Sequence, residues 1–422
     1  MTEFKQCNQL KNNKNVVIKT NAQDSYPYDI NSNGYSISTI YNAYGIKPST
    51  NKDIKVGIIQ LGGGYLISDI ESAMSANGFP EWKASEHVFP YFIDEFPTNV
   101  KQNFYNDLDS STEVTSDIEI AAWAIPNGRI NVYFSFNTWS GFINAVKTAI
   151  NDNCTTISIS WGSQEWKINT NLIFSFNKIL EEGRCKGISI FCATGDLGDI
   201  TTVTKDLQNN ILGYQLNFPA SSPNVIACGG TNLSLELYNG KYCKYSKETS
   251  WIENDDTVIR CGTGGLSMYF NKPKYQKKVN FNCSNVNENS NKRGVPDISG
   301  NSSIYNSWIV YFNGKTLNHG GTSAVAPMWA GYTAGLNCNV FLNDYLYKLP
   351  KECFHDITEG INYPYSSSKG YDLCTGLGSP NGEVLTKYLL QIFKKKNKEN
   401  KEKEKKNKNK KNKNCVSDLI HI

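Results

Sequence analysis

Five short runs of apolar and β-branched residues recur along the chain, and none has the polar alternation of a half-solvated strand. They are Ile54–Gly64 (IKVGIIQLGGG), Arg129–Phe136 (RINVYFSF), Thr155–Gly162 (TTISISWG), Gly187–Asp196 (GISIFCATGD) and Asn224–Gly230 (NVIACGG). Segments with helical patterning lie among them: Leu66–Ala76, Val114–Ala124, Trp139–Asn151 and Thr170–Glu182. Apolar strands spaced by helices predict an α/β fold, a mostly parallel twisted sheet with helices on both faces. Such sheets bind ligands at the carboxyl ends of their strands, where Gln60, Trp161 and Asp196 stand. With 422 residues, 39% of them hydrophobic, the chain can bury a large core as a single domain.

The polar segment 1–25 precedes an ordered body expected to span 26–393. A Lys/Asn-rich tail, 394–414, cannot bury apolar surface and is expected to be disordered; residues 415–422 form a short end. The tail holds 12 Lys against 3 Glu, +9 of a total of +4, so the remainder carries −5. The basic total therefore gives no reason to expect nucleic-acid binding by the folded part. The first 20 residues lack an apolar core, so no secretory signal is visible. No apolar run reaches the ~18 residues of a membrane span. The 12 cysteines show neither CxxC pairs nor Cys/His clusters, and most are expected to be reduced.

The strongest local signal is GGTSAVAPMWAG, Gly320–Gly331. Ser323 reads as a nucleophile opening a helix, its N–H available to an oxyanion; the plainer reading makes it an N-cap. A serine nucleophile needs a base, ordinarily His. His87, His319, His355 and His421 are the four histidines, and none sits in a His-Gly-Thr-type helix start after the first strand. Glu113 and Asp117, in STEVTSDIEIAAWAIPNG, are four apart and share one helical face. Two carboxyls so close resist ionising together, which suits a proton-accepting pair in an acidic milieu; alone, they read equally as a solvated acidic helix start. Glu119 lies two residues past Asp117, points elsewhere, and is read as structural. Asp196, in FCATGDLGD, is either an acid facing a developing oxyanion or a turn residue. Asp356 and Asp372, in CFHDITEG and SKGYDLCTGLGSP, would suit a hard cation such as calcium, or merely shape two turns.

Together and in this order, these motifs resemble one family. From about Ser25 to Leu390, GIIQLGGGY, EVTSDIE, INVYF, SISWG, ATGD, NFPASSPNVIACGGT, GGTSAVAPMWAG, FHDITEG and GYDLCTGLGSP are similar to the sedolisins, the serine-carboxyl peptidases, especially kumamolisin-type members. The resemblance implies a subtilisin-like fold and an acid-active, calcium-stabilised serine-type endopeptidase working through an acyl-enzyme. It implies Ser323 as nucleophile, Glu113 as general base and acid, Asp117 as its orienter and Asp196 as the oxyanion-hole acid. Trp161 and Gly162 would line the substrate cleft. One Ca2+ would be held by the Asp356 and Asp372 side chains with the carbonyls of Ile357, Ser368 and Gly370. Peptide or protein substrates and a monomeric state are implied; the family tendency is secreted or lysosome-like.

Three departures stand out. Gln60 stands where kumamolisin-type members carry Glu, and Asn217 replaces a charged subsite residue of some relatives. Family precursors also carry a long N-terminal pro-domain, whereas here the body starts almost at once behind Met1, which argues against a simply processed product. Three further readings follow: a tripeptidyl-peptidase of the same family, a peptide-binding pseudo-peptidase, and a His-dependent protease using His319 or His87. The pH–rate profile separates the last, because imidazole titrates near pH ~6.5.

Overall fold

The structure is a computed structural model describing residues 34–197, 216–238, 241–254, 259–281, 291–337, 339–363 and 365–396. Segment 1–25, the tail beyond Lys396 and the end 415–422 lie outside these residues.

The main sheet has eight strands: β1 (Lys55–Leu61), β2 (Val88–Phe92), β3 (Arg129–Ser135), β4 (Thr156–Ile159), β5 (Ser189–Ala193), β6 (Ile226–Tyr238), β7 (Lys241–Ser250) and β8 (Ile298–Asn301). Their spatial order is β7-β6-β5-β4-β1-β3-β2, with β8 also beside β6. Every pairing is parallel except β6 with β7. Register sets Gln60 against Phe134 and Ile159 against Cys192, so the strand ends form one edge.

Each strand is apolar on both faces because each face meets a helical layer. Val56, Ile58, Phe191 and Ala193 join one core with helices α1 (Ile67–Ala76), α2 (Leu108–Ala124) and α5 (Val325–Gly335). Ile59, Leu61, Ile190 and Cys192 join the other with α3 (Trp139–Asn151) and α4 (Thr170–Cys185). Helix α5, VAPMWAGYTAG, has no polar face and is buried throughout, as its composition demands.

Helix α2 begins six residues before the apolar pattern that foretells it. Asp107 caps it, its carboxylate accepting from Ser110 N at 3.1 Å. The early serines and threonine read as loop residues, yet their hydroxyls bond back to the preceding turn: Ser111 to Asp107 O (2.6 Å), Thr112 to Leu108 O (2.9 Å), Ser116 to Thr112 O (3.0 Å). A buried hydroxyl satisfied within its own helix lets this polar stretch enter the core.

A hairpin of β9 (Trp308–Phe312) and β10 (Lys315–His319) runs from the main sheet to Gly320. Among the described residues, Cys154, Cys185, Cys192, Cys228, Cys261, Cys353 and Cys374 are free thiols, all buried but Cys185. No described helix is long and apolar enough to cross a membrane.

Candidate active site

The carboxyl edge of the sheet carries the candidate residues. Strand β10 ends at His319, and Gly321 N then donates to Ser302 O at 2.7 Å, turning the chain beneath β8. Thr322–Ala324 form one 3-10 turn that continues into α5. The cap position of α5 is Ala324 and no side chain caps it. Ser323 is thus not an N-cap; it sits fully buried in the turn before the helix.

Helix α2 packs alongside this turn and along α5. Glu113 and Asp117 lie one turn apart on it, both buried. The link to the serine is Ser160, the residue after β4. Its hydroxyl donates to Asp117 Oδ1 at 3.1 Å and lies 3.3 Å from the Ser323 carbonyl oxygen. One small side chain therefore contacts both the carboxylate helix and the nucleophile turn. Sequence reading passed over Ser160, although its place between an apolar strand and Trp-Gly was the available signal.

Asp196 approaches from the end of β5. Its Oδ1 accepts from Thr322 N and from Thr322 Oγ1, both at 2.8 Å, while Thr322 Oγ1 accepts from Gly195 N at 2.9 Å. This closed ring fixes Asp196 one residue from Ser323 and gives Thr322, also missed in the sequence, a positioning role. The tight path needs Gly195: at φ 110°, an added Cβ would sit 2.1 Å from Asn217 Nδ2. Asn217 in turn donates to Thr194 O at 2.7 Å, so its amide shapes the Asp196 turn.

Gln60 is fully buried at the end of β1. Its Nε2 donates to Ser110 O at 2.7 Å and Gly62 O at 3.2 Å, and its Oε1 accepts from Trp161 Nε1 at 3.3 Å. It thereby ties the first turn of α2 to two strand ends. The Trp161 ring is core, packed in the layer with α3 and α4, and Gly162 is buried beside it. A peptide lying along this edge would meet their backbone rather than the indole face.

The histidines fare differently. His87 precedes β2 and its ring bonds Gly128 O at 2.9 Å, at the amino edge of the sheet. His355 stacks on Tyr245 at 3.8 Å, and burial pulls its pKa down to about 4. His319 closes β10 opposite Trp308, and His421 lies outside the described residues.

The fourth motif folds into a separate loop. Ser368 N donates to Asp372 Oδ2 at 2.9 Å, and Gly370 N donates to both oxygens of Asp356 at 3.0 Å. Asp372 is buried and also takes Cys374 N and Thr375 N; burial pushes its carboxyl up to about 6. Ile357 is buried alongside, and Gly370, at φ 84°, faces open space. Among the described residues no cluster of three or more His, Cys, Asp or Glu could hold a metal, so a cation here would rely on two carboxylates and backbone carbonyls.

Residues 135–338 match the Subtilase family. Kumamolisin of Bacillus sp. (strain MN-32) is 36% identical over 349 residues, 79% of this chain and 60% of its own. Tripeptidyl-peptidase sed5 of Aspergillus fumigatus is 28% identical over 374 residues, 79% of this chain and 61% of its own. The chain thus spans about 60% of the length of these curated relatives. The solved structure of Pseudomonas sedolisin, a serine-carboxyl proteinase complexed with two molecules of pseudo-iodotyrostatin, superposes with TM-score 0.69 at 25% identity, covering 85% of this chain and 98% of that one. The expected subtilisin-like fold is the fold observed, and with this kinship along its body the chain belongs to the sedolisin family and is kumamolisin-like in sequence.

Proposed function

We propose that the chain is a serine-type endopeptidase hydrolysing peptide bonds through an acyl-enzyme, with a Ser323–Glu113–Asp117 triad. The observation that carries this reading is the Ser160 hydroxyl, which reaches both Asp117 Oδ1 and the Ser323 carbonyl. Glu113, one turn from Asp117, takes the Ser323 hydroxyl proton as Oγ attacks the scissile carbonyl carbon. The oxyanion forms beside Ser323 N–H and the Asp196 carboxyl, which donates only while protonated. Glu113 then protonates the leaving amine, and water repeats the cycle on the ester. Every proton transfer passes through the Glu113 carboxyl and the oxyanion acid is a carboxyl too, with no imidazole involved, so activity is expected to peak at acidic pH.

Family membership and this geometry support the reading, and the test is direct. Ser323→Ala abolishes cleavage of a denatured protein substrate at acidic pH while the protein stays folded; cleavage surviving that change sinks the assignment. A maximum near neutrality, with loss below pH ~6, would favour a histidine base instead. Tripeptidyl-peptidase action is the second reading, favoured by the relative of that name. Mass spectrometry of a long peptide separates the two: internal cuts for one, successive N-terminal tripeptides for the other. A pseudo-peptidase would give neither product and would form no hemiacetal at Ser323 with a peptide aldehyde.

We further propose that the 356–372 loop takes one calcium ion. Its donors are all oxygen, as a hard cation requires, and the two carboxylates flank one turn whose Gly370 faces open space. The Asp356 and Asp372 side chains, with the carbonyls of Ile357, Ser368 and Gly370, would hold it. When bound, it would offset the charge of buried Asp372 and brace the loop; it would take no part in the acyl transfer.

A further inference from the structure

Helix α2 carries a third buried carboxyl that the triad does not use. Glu119 is fully buried, and Asp69 of α1 is 1% exposed. Both are spent on the β9–β10 hairpin. The short strand Tyr35–Ser36 pairs with β9 only at Trp308 and Ile309. Farther along, the N–H groups of Tyr311 and, in the turn after β9, Asn313 have no neighbouring strand among the described residues. Carboxyls stand in for it: Tyr311 N donates to Glu119 Oε2 at 2.9 Å, and Asn313 N and Gly314 N donate to Asp69 at 2.6 and 3.0 Å. The hairpin so fastened ends at His319, four residues before Ser323.

Glu119 stands in surroundings that disfavour its charge. Its Oε1 is buried and makes no hydrogen bond among the described residues. Asp69, the neighbour on α1, is acidic. Helix α5, VAPMWAGYTAG, brings no charged group, and the Tyr41 hydroxyl from the helix Ile37–Ala43 is spent on Ile120 O and Met328 O. Asp117, on Glu119's own helix, engages Ser160 instead.

We propose that Glu119, working with Asp69, is a positioning residue: it fastens the hairpin that delivers the Ser323 turn to the helix bearing Glu113 and Asp117, and because it does so from the core, the fold it fastens weakens when it must carry a buried charge. The catalytic half rests on the triad reading; the fastening itself does not. Burial and Asp69 raise the Glu119 pKa above the ordinary range against the smaller opposing pull of Tyr311 N–H. A carboxyl whose folded-state pKa lies above its unfolded value of about 4.3 adds stability below that pH, and loses it as pH rises through the folded value. Stability should therefore fall toward neutrality, partly through Glu119.

The full chain tests this with Glu119→Gln, Asp69→Asn and Glu119→Leu. Thermal unfolding from pH 4 to 8 comes first, since it needs no activity and survives any failure of the triad reading. Glu119→Gln, which keeps an acceptor for Tyr311 N–H but cannot ionise, is expected to match the parent at pH 4 and outlast it at pH 7–8. The comparison isolates Glu119 from Glu165 and Glu248, also raised by burial. Asp69→Asn, with the repelling charge gone, lowers the folded-state pKa of Glu119 and should shrink the loss of stability between pH 4 and pH 8. Parallel curves for parent and Glu119→Gln overturn the proposal. In peptide cleavage, Glu119→Leu should lower kcat at least about tenfold with KM within about twofold, because a displaced nucleophile slows chemistry rather than binding; Glu119→Gln should restore kcat. Equal kcat in Glu119→Leu and the parent removes the positioning role.

Discussion

Gln60→Glu asks whether the first turn of α2 is held by donors or by charge. The parent amide nitrogen serves a buried carbonyl, Ser110 O at 2.7 Å, and a half-buried one, Gly62 O at 3.2 Å, and its oxygen serves Trp161 Nε1. An ionised carboxyl in this place would keep the indole bond but present no proton to either carbonyl. Each buried carbonyl left without a donor costs about 1–3 kcal/mol, and the unpaired charge costs more, so the introduced group takes up a proton. Protonated, it has one O–H for two carbonyls. At pH 4 the expected deficit is therefore one orphaned carbonyl, about 1–3 kcal/mol. Because the introduced carboxyl titrates higher in the folded state than in the unfolded one, its stable form is the protonated one. The deficit then grows with pH, by about 1.4 kcal/mol per unit of elevation traversed, reaching about 4–6 kcal/mol at pH 7 for an elevation of about two units. Urea unfolding followed by tryptophan fluorescence at pH 4 and pH 7 measures it, with an unchanged m-value as the check for two-state loss. Equal deficits at both pH values, or none, would refute the reasoning.

The Arg293–Asp297 pair is fully buried and bidentate, at 2.7 and 2.5 Å, with the Tyr347 hydroxyl, Asn343 Nδ2 and Ala227 N also on the carboxylate. Asp297→Ala strands the guanidinium in the core, and a loss of about 3–5 kcal/mol in denaturant unfolding is expected; a loss under about 1 kcal/mol would mean that water reaches the site. Removing calcium with a chelator should lower the melting temperature, and free calcium at about 100 times its Kd should restore about 2.7 kcal/mol. In Asp372→Asn, calcium should no longer move the melting temperature; if it still does, the ion binds elsewhere.

Much of this was legible in the sequence because the parallel sheet leaves an unambiguous trace. A strand buried on both faces cannot afford polar alternation, so β1, β3, β4, β5 and the start of β6 announced themselves, and α3 was placed to the residue. Glu113 and Asp117 on one face followed from helical spacing alone. What stayed hidden was whatever depends on partners distant in sequence. The first six residues of α2 look like loop because Ser and Thr favour loops unless their hydroxyls find acceptors in the helix itself, and that depends on burial. Ser160 and Thr322 are invisible for the same reason: a hydroxyl's task is set by what lies opposite, 163 residues away for Ser160 and Ser323 O, 126 for Thr322 and Asp196. The buried Arg293–Asp297 pair reads in the sequence as two surface charges around a Gly-Val-Pro turn.

Reading α2 by its faces explains why so polar a helix lies in the core. Fifteen of its 17 residues are buried, an arrangement that hydrophobicity alone would forbid. Asp117 reaches the Ser323 turn through Ser160, Glu119 faces the hairpin that leads to it, and Gln60 holds the first turn through Ser110. Helix α2 and the Ser323 turn, the two elements the proposed triad brings together, are thus joined twice, directly through Ser160 and indirectly through the hairpin, and the indirect join rests on the buried carboxyl of Glu119. Burial that raises the pKa of Glu119 costs little where carboxyls are protonated and more as pH rises. On the proposed triad, a site served by carboxyls rather than imidazole and a scaffold held by a buried carboxyl therefore favour the same pH range. It follows that Glu119→Gln should widen the pH range over which the protein stays folded while, if the proposed triad holds, leaving the pH of maximal rate unmoved. A maximum that moved with the stability limb would mean that unfolding, rather than the triad, limits activity at higher pH.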